Sequence, residues 1–218
     1  MRKDTQDLRR AIPVEEFDYQ AIMQALKGYA YPRDKITELM RQGDIIRVKK
    51  GIYIFGQKYA LRPFSREILA NLIYGPSYIS LDYALHYHGL IPERVETMTS
   101  VISGRGRRFM TPVGLFTYQT IPLSAYPVAV TLIELEGGRS FLMATPEKAL
   151  ADKIYAARAS GIRTLADMRV YLLDSLRIDR EELAGLNLQR LDDIAGCYHS
   201  RRVHTLFNLV RRIGAEGR

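Results

Sequence analysis

Residues 31–55 join a helical hydrophobic pattern to a basic strand pattern, and this combination constrains the fold more than any other feature. Pro32 suits the first position of a helix, because its missing N–H would have no partner there. Ile36, Leu39 and Met40 follow at helical spacing and form one apolar stripe. Because the stripe must be covered, the segment predicts a helix packed against a second element.

The preceding residues predict that second element. Ile22, Met23 and Leu26 share one helical face within residues 19–27. Gly28 is placed to end this first helix as a left-handed C-cap. Two helices joined by a short turn indicate a helix-turn-helix.

After the second helix the hydrophobic period becomes that of a strand. Ile46 and Val48 alternate with basic residues, which predicts one packed face and one cationic face. A Lys-Gly pair fits the turn, and residues 52–55 form an apolar return strand. We therefore predict a hairpin whose outer tip carries Arg47, Lys49 and Lys50.

A helix followed at once by a basic hairpin is typical of a winged helix-turn-helix. The candidate base-contacting side chains are Tyr31, Arg33, Lys35, Thr37 and Arg41. The three hairpin cations would neutralise phosphates, which gives affinity without sequence reading. Asp34 and Glu38 share the outward face; they either accept from cytosine amino groups or pair with neighbouring cations.

The net charge of +8 is concentrated at the two ends of the chain. Residues 1–58 carry twelve basic side chains against eight acidic ones, and residues 199–218 carry five against one. Residues 59–198 carry fifteen of each. A basic surplus within a predicted helix-turn-helix supports nucleic acid as the partner.

Several classes of protein are disfavoured by composition. The one cysteine, Cys197, excludes an intrachain disulfide and argues against a zinc finger. The first ten residues are polar, unlike a signal peptide, and no apolar run approaches the length of a membrane span. We expect a cytoplasmic protein with no membrane partner, no metal and no cofactor.

The 218 residues are enough for two small domains. Residues 56–64 resemble a connector, so we predict a winged helix-turn-helix in residues 1–60 and a second domain in residues 65–218. The second domain begins with helices at residues 65–73 and 80–89. The predicted strands cover residues 97–103, 115–121, 128–136 and 140–144, with a turn at residues 111–114 between the first two. They predict an α+β fold with a small antiparallel sheet.

The C-terminal part is predicted to be helical. Thr145 and Pro146 form a helix start with an acidic first turn, and this helix is expected to reach Ala159. Four further helices are predicted at residues 164–176, 179–183, 187–195 and 200–213.

Four segments resemble the AbiEi-type antitoxins, a family of transcriptional regulators in type IV toxin–antitoxin systems. The hairpin segment RQGDIIRVKKGIYIF is similar to the N-terminal domain of that family. The family's core pattern is resembled by SYISLDYALHYHGLIPERVETMTSV, RRFMTPVGLFTYQTIP and ATPEKALADKIY. The resemblance covers roughly residues 19–155.

This resemblance implies a bacterial antitoxin that also represses its own operon. The winged helix-turn-helix would bind repeats in promoter DNA. The second domain would oppose a nucleotidyltransferase-like toxin, often without a stable complex, and abortive infection in phage defence is a common context. Three alternatives stay open: a solitary regulator without a toxin, an enzyme that modifies the toxin, and a binder that neutralises the toxin directly. The sequence offers no phosphate-binding loop and no metal-carboxylate motif, so an enzyme is not predicted.

Two basic clusters are candidate phosphate or partner contacts. Arg105, Arg107 and Arg108 form either a phosphate-binding loop or a solvated hairpin tip. Arg201 and Arg202 begin a terminal helix that either contacts DNA or an acidic partner, or packs its apolar stripe while the arginines stay in water.

For the other reactive side chains, spacing and position favour structural roles over catalytic or metal-binding ones. His86 and His88 diverge by about 200° on a helix, so they do not chelate one ion. Cys197 is expected to be inert. Glu147 and Asp152 suggest helix capping and surface pairing, although the family motif leaves a further role open.

Overall fold

The computed structural model describes residues 5–157 and 161–216, and these residues form a mixed α+β fold with ten α-helices and two sheets. One sheet has three antiparallel strands, and the other has six strands of mixed direction. The α+β class agrees with the expectation from the sequence.

The three-stranded sheet and its helices come from the start of the chain. The elements are α1 (Thr5–Ala11), β1 (Glu16–Asp18), α2 (Tyr19–Ala25), α3 (Pro32–Gln42), β2 (Ile45–Lys49) and β3 (Ile52–Phe55). The strand order is β1-β3-β2. Strand β1, which precedes α2 and α3, therefore pairs with β3, the last strand of the hairpin.

Capping residues next to these helices determine where they begin and end. The Asp18 side chain caps the start of α2. The helix ends at Ala25, where the Leu26 N–H donates to carbonyls of the last turn. The prediction that Gly28 forms this C-cap was wrong, because the helix stops before it. Gly43 ends α3 in the left-handed conformation with φ 74°, which glycine adopts without a Cβ clash.

A small core joins these helices to one face of their sheet. Ile36 and Leu39 are buried in it as the stripe predicts, and Met40 is half-buried. The buried members of this core are Leu8, Ile12, Phe17, Ile22, Leu26, Ile36, Leu39, Ile45, Tyr53 and Phe55. Burial of this apolar surface holds α2 and α3 against the hairpin.

The six-stranded sheet occupies the middle of the chain. Its elements, with two helices, are α4 (Arg66–Ile73), β4 (Tyr78–Ile79), α5 (Leu81–Tyr87), β5 (Met98–Ile102), β6 (Arg107–Thr111), β7 (Gly114–Thr120), β8 (Val130–Leu135) and β9 (Arg139–Ala144). The strand order is β6-β7-β5-β4-β9-β8. The pairs β5–β7 and β4–β9 are parallel.

The prediction of a small antiparallel sheet was wrong for a specific reason. The turn after Thr111 joins β7 to β6, a strand that the sequence analysis did not predict, rather than to β5. The basic residues of β6 hid its strand character. Because β6 forms the hairpin with β7, β7 lies parallel to β5.

Helices complete the chain, as predicted. They are α6 (Pro146–Ala156), α7 (Leu165–Val170), α8 (Arg180–Ala184), α9 (Leu188–Tyr198) and α10 (Arg201–Glu216), and α7 continues into a π-helical turn at Tyr171–Ser175. The predicted end of the first helix at Ala159 lies outside the described residues; the described helix ends at Ala156.

The hairpin β2–β3 belongs to both cores. Val48 and Ile54 are buried in the larger core, which also contains the second sheet and the C-terminal helices. Glu16 of β1 adds polar links, because it accepts from Arg139 at 3.3 Å and from the Ser65 backbone. The hairpin therefore lies between the first helices and the second sheet.

Candidate nucleic-acid interface

The outward face of α3 carries most of the predicted base-reading side chains. Its apolar stripe faces the small core, which leaves the opposite face to solvent. Tyr31, just before the first helical residue, is 74% exposed. The other exposed members of the predicted set are Arg33, Thr37 and Arg41. The N-terminal end and the outer face of α3 are thus exposed to solvent.

Lys35 differs from its neighbours because its charge is already paired. Its ammonium lies 3.1 Å from the Glu38 carboxylate, and Gln42 donates to the same carboxylate at 3.0 Å. The hydrogen bond from Lys35, together with its charge, lowers the pKa of Glu38 below its ordinary value. Of the alternatives that the sequence left open for Glu38, the free protein adopts the pairing with Lys35.

The hairpin does not alternate as predicted. The pattern placed Ile46 with Val48 on the packed face, but Ile46 is 37% exposed and its neighbour Ile45 is buried. A bulge between Arg47 and Lys49 gives β2 one extra residue, Val48, which is buried in the larger core. The bulge places the basic side chains of the hairpin differently from a regular strand.

Arg47 and Lys49 consequently lie on opposite faces of the hairpin. Arg47 is opposite Tyr53, whose side chain belongs to the small core, so Arg47 lies on the side where α3 packs. Lys49 is opposite Ile52, which packs against the larger core. The predicted tip of three cations was wrong: Arg47 and Lys50 are exposed, and Lys49 is directed to the second sheet.

Lys49 contacts the end of α4 and strand β6 of the second sheet. Its ammonium donates to the Ile73 carbonyl at 2.6 Å and lies 4.4 Å from the centre of the Phe109 ring. Tyr74 completes the surroundings, with its ring centre 5.9 Å from the ammonium. Burial lowers the pKa of Lys49, and the nearby Arg107 charge adds to the shift.

The arginine-rich loop lies beside this contact. Arg105, Arg107 and Arg108 are exposed, at the start of β6 and just before it. Tyr74 donates its hydroxyl to the Arg105 carbonyl at 2.9 Å, and the Arg107 guanidinium lies 5.9 Å from the Tyr74 ring centre. The structure thus brings together two basic elements that are far apart in sequence.

The two arginines at the start of α10 have different environments. Arg202 donates to the carbonyls of Ala157 at 2.6 Å and Tyr155 at 3.2 Å, which closes the C-terminal end of α6. Arg201 is exposed. The hypothesis of a partner contact therefore applies to Arg201, whereas Arg202 is engaged inside the fold.

Sequence reasoning missed a buried polar network around α6. Lys148 and Asp152 are both 0% exposed and lie 2.7 Å apart. The Asp152 carboxylate also accepts from the hydroxyls of Ser80 at 2.5 Å, Tyr78 at 3.3 Å and Tyr198. Burial raises the pKa of both tyrosines, and the Asp152 charge raises it further, so each phenol stays protonated and donates.

The surface-pairing interpretation of these α6 residues was wrong. Glu147 is also buried, where it accepts from the Asn187 backbone at 2.9 Å and from Arg190 at 3.1 Å. Through these contacts α6 is fixed to α9. One signal was present in the sequence: Lys148 and Asp152 share a face with four-residue spacing in a helix whose other residues are mostly small or apolar.

His88 and Cys197 take part in contacts within the fold. His88 contacts the Ala144 carbonyl at 2.8 Å, and the Cys197 carbonyl accepts from Ser124 at 2.7 Å. The Cys197 thiol is free and half-buried. Among the described residues, no group of three or more histidine, cysteine or acidic side chains is arranged to hold a metal ion.

A cleft between α5 and the π-helical turn contains carboxylates that are each paired with a cation. Asp82 lies 2.6 Å from Lys153, and Glu96 lies 2.7 Å from Arg94. Glu93 accepts from Arg177, whose hydrogen bond lowers the pKa of Glu93. These pairs give the cleft neither a free carboxylate cluster nor a single dominant charge.

Comparison of the sequence with protein-family models and with curated proteins finds no match. In the described part of the chain, the helices are all too short or too polar to cross a bilayer.

Proposed function

We propose that the chain is a DNA-binding transcriptional repressor whose first sixty or so residues form a winged helix-turn-helix. The observation that carries the proposal is the placement of α3. Its outer face presents Arg33, Thr37 and Arg41 to solvent, and Arg47 lies on the same side of the sheet. An exposed helix beside a basic hairpin fits a major groove and its flanking phosphates.

The order of the elements supports this proposal. A helix and a short strand precede the two helices, the hairpin follows them, and β1 pairs with β3. This order is consistent with a winged helix-turn-helix. In the proposal, α3 is the recognition helix and β2–β3 is the wing. The bulge and the Lys49 contact fix the wing at its base while Lys50 stays exposed at the turn.

The proposal assigns two kinds of contact. Arg33 and Arg41 have the bidentate donors that recognise guanine in the major groove, and Tyr31 lies at the entering end of the helix. Arg47 and Lys50 contact phosphates. Base contacts determine which sequence is preferred, and phosphate contacts determine affinity on any sequence.

A salt titration with duplex DNA from upstream of the protein's own gene tests the proposal. Each phosphate contact contributes about −0.9 to the slope of log affinity against log salt, so R47A/K50A is expected to reduce the slope by about 1.8 on every duplex. R33A/R41A is expected to reduce the preference for the promoter over random DNA. R169A/R180A, which removes two exposed arginines from the C-terminal helices, is the charge-matched control and is expected to change neither quantity. A slope near zero for the unaltered protein would refute DNA binding.

We also infer that the second domain, residues 65–218, acts as the antitoxin of a type IV toxin–antitoxin pair. This inference is supported by the resemblance to the AbiEi-type family. The matching segments, residues 77–101, 107–122 and 144–155, form the β6-β7-β5-β4 part of the sheet together with α5, α6 and the end of β9. Within the second domain, the segments that resemble the family therefore lie in its packed centre.

Co-expression with a nucleotidyltransferase-like toxin from the same operon tests this part separately. The full chain is expected to restore growth, and R33A/R41A is expected to restore growth equally while losing promoter repression. Failure of the full chain to restore growth would leave a solitary regulator. Loss of rescue in R33A/R41A would show that the two activities are not separable.

A further inference from the structure

A half-buried lysine of the wing contacts the second sheet and the end of α4. Lys49 leaves the hairpin on the face opposite α3, donates to the Ile73 carbonyl and lies over the Phe109 ring of β6. A lysine that contacts phosphate needs its ammonium in solvent, whereas this ammonium is directed into the contact between two sheets. Its position indicates a structural connection between the wing and β6.

The arginine loop at the start of β6 is held in one conformation by neighbouring backbone contacts. The Thr120 hydroxyl donates to the Gly104 carbonyl at 2.8 Å and accepts from the Gly106 N–H at 3.0 Å. A Cβ on Gly106 would lie 2.8 Å from the Tyr118 carbonyl oxygen, so a larger residue would displace the loop. Tyr74 fixes the Arg105 carbonyl from the other side. The exposed arginines therefore project from an ordered support.

The hairpin stands between α3 on one face and the arginine loop on the other. If α3 occupies a major groove and the wing tip lies on the adjacent backbone, the loop lies beyond the wing in the same direction along the duplex. We propose that residues 104–108 bind phosphates of the same duplex beyond the wing, with Lys49 as the positioning residue that holds them there. This inference rests on the proposed DNA binding and adds a second element to it.

Electrostatics favours a polyanion at this place. Lys49 and Arg107 carry like charges close enough for Arg107 to disfavour the charged Lys49, and Arg105 and Arg108 add two more cations. Cations clustered around one edge strand raise the local potential and attract phosphate. A duplex that neutralises Arg107 also relieves its repulsion of Lys49.

The first test compares the unaltered protein with R105A/R108A on promoter duplexes of about three helical turns, or about 30 base pairs. The variant is expected to reduce the salt slope by about 1.8. Its hydroxyl-radical footprint is expected to lose protection at the end beyond the wing and to keep the protection due to α3. A variant with an unchanged slope and footprint would overturn the proposal.

The second test addresses Lys49 as a positioning residue. Lys49→Met removes a single charge that contacts no phosphate, yet it is expected to lose the same outer protection and to reduce the slope by more than about 0.9, the value of one contact. Lys49→Arg retains a cation over the Phe109 ring and is expected to restore the footprint. Lys50→Ala is the control at the wing tip. It is expected to reduce the slope by about 0.9 and to leave the protection beyond the wing unchanged.

The outcomes separate this inference from the proposed function. If the unaltered protein binds no duplex, the proposed function fails and the inference fails with it. If it binds, but R105A/R108A behaves like the unaltered protein, only the inference fails. If Lys49→Met matches Lys50→Ala in slope and footprint, Lys49 has no positioning role. Thermal unfolding of Lys49→Met shows whether the variant is folded. If a folded variant loses the outer protection, the loss is due to displacement of the arginine loop.

Discussion

Helices α3 and α6 each contain a lysine paired with an acid about one turn later, and the two pairs have opposite physical roles. In α3, Lys35 and Glu38 are 3.1 Å apart and partly solvated, with side chains 20% and 42% exposed. In α6, Lys148 and Asp152 are 2.7 Å apart and fully buried. The same local pattern thus forms an adjustable surface pair in one helix and a fixed internal connection in the other.

The surroundings of the two helices account for this difference. Helix α3 packs one face on a small core and leaves the other to water, where solvent and salt screen the pair. Helix α6 packs against α5, α9, α10 and β9, so its polar groups need partners from the protein. Tyr198, Tyr78 and Ser80 provide those partners.

The largest expected effect comes from breaking the buried pair. Lys148→Met leaves the Asp152 carboxylate buried without its cation, which is expected to destabilise the protein by about 3–5 kcal/mol. Urea unfolding measures this as a shift of the midpoint at an unchanged slope.

The matched double variant K148M/D152N removes both charges. Its amide oxygen at the Oδ2 position accepts from Ser80 and Tyr78, and its amide nitrogen at the Oδ1 position can donate to the Tyr198 hydroxyl. It is expected to recover most of the lost stability, because no unpaired charge stays buried. A double variant no more stable than Lys148→Met would mean that packing, rather than charge pairing, determines the loss.

The contrast between α3 and α6 also separates the features that the sequence predicts from those that it does not. The helices α2 and α3, the hairpin and the C-terminal helices follow from local hydrophobic period and capping residues, which neighbouring positions determine. The buried state of Lys148 and Asp152 depends on Tyr78 and Tyr198, which are distant in the chain. A pattern that assigns charged residues to the surface does not predict their burial.

The candidate interface shows the same division. The exposed face of α3 follows from the stripe of Ile36 and Leu39, so most of its base-reading candidates could be placed from the sequence. The role of Lys49 could not, because it depends on a bulge at Val48 and on β6, a strand whose basic composition concealed it. The local pattern predicted the helix, whereas long-range packing determined the position of Lys49.

A smaller effect is expected from the two arginines at the start of α10. Arg202→Ala removes the donors to the Ala157 and Tyr155 carbonyls and is expected to cost about 1–2 kcal/mol of unfolding free energy. Arg201→Ala, the adjacent control, is expected to stay within about 0.5 kcal/mol because its side chain is exposed. Equal losses in urea unfolding would show that Arg202 does not fix the end of α6.

The surface pair in α3 gives the smallest change in stability and the most direct information about DNA. Glu38 is ionised at neutral pH, as an ordinary glutamate is, and the hydrogen bond and charge of Lys35 lower its pKa further. Glu38→Gln removes a negative charge from the proposed groove-facing surface and frees the Lys35 ammonium to contact phosphate. Binding to promoter duplex is expected to tighten, and the salt slope is expected to steepen by about 0.9. The control K35M/E38Q is expected to lack this additional slope.

The opposite result would assign Glu38 a different role in the complex. A carboxylate in the major groove accepts from a cytosine amino group, and a good contact of this type contributes about 1–3 kcal/mol of discrimination between bases. If Glu38→Gln weakened promoter binding and relaxed the preference at one base pair, Glu38 would leave Lys35 on binding and read that base. The surface pair would then be an exchangeable contact that DNA replaces, which the buried Lys148–Asp152 pair, enclosed on every side, does not permit.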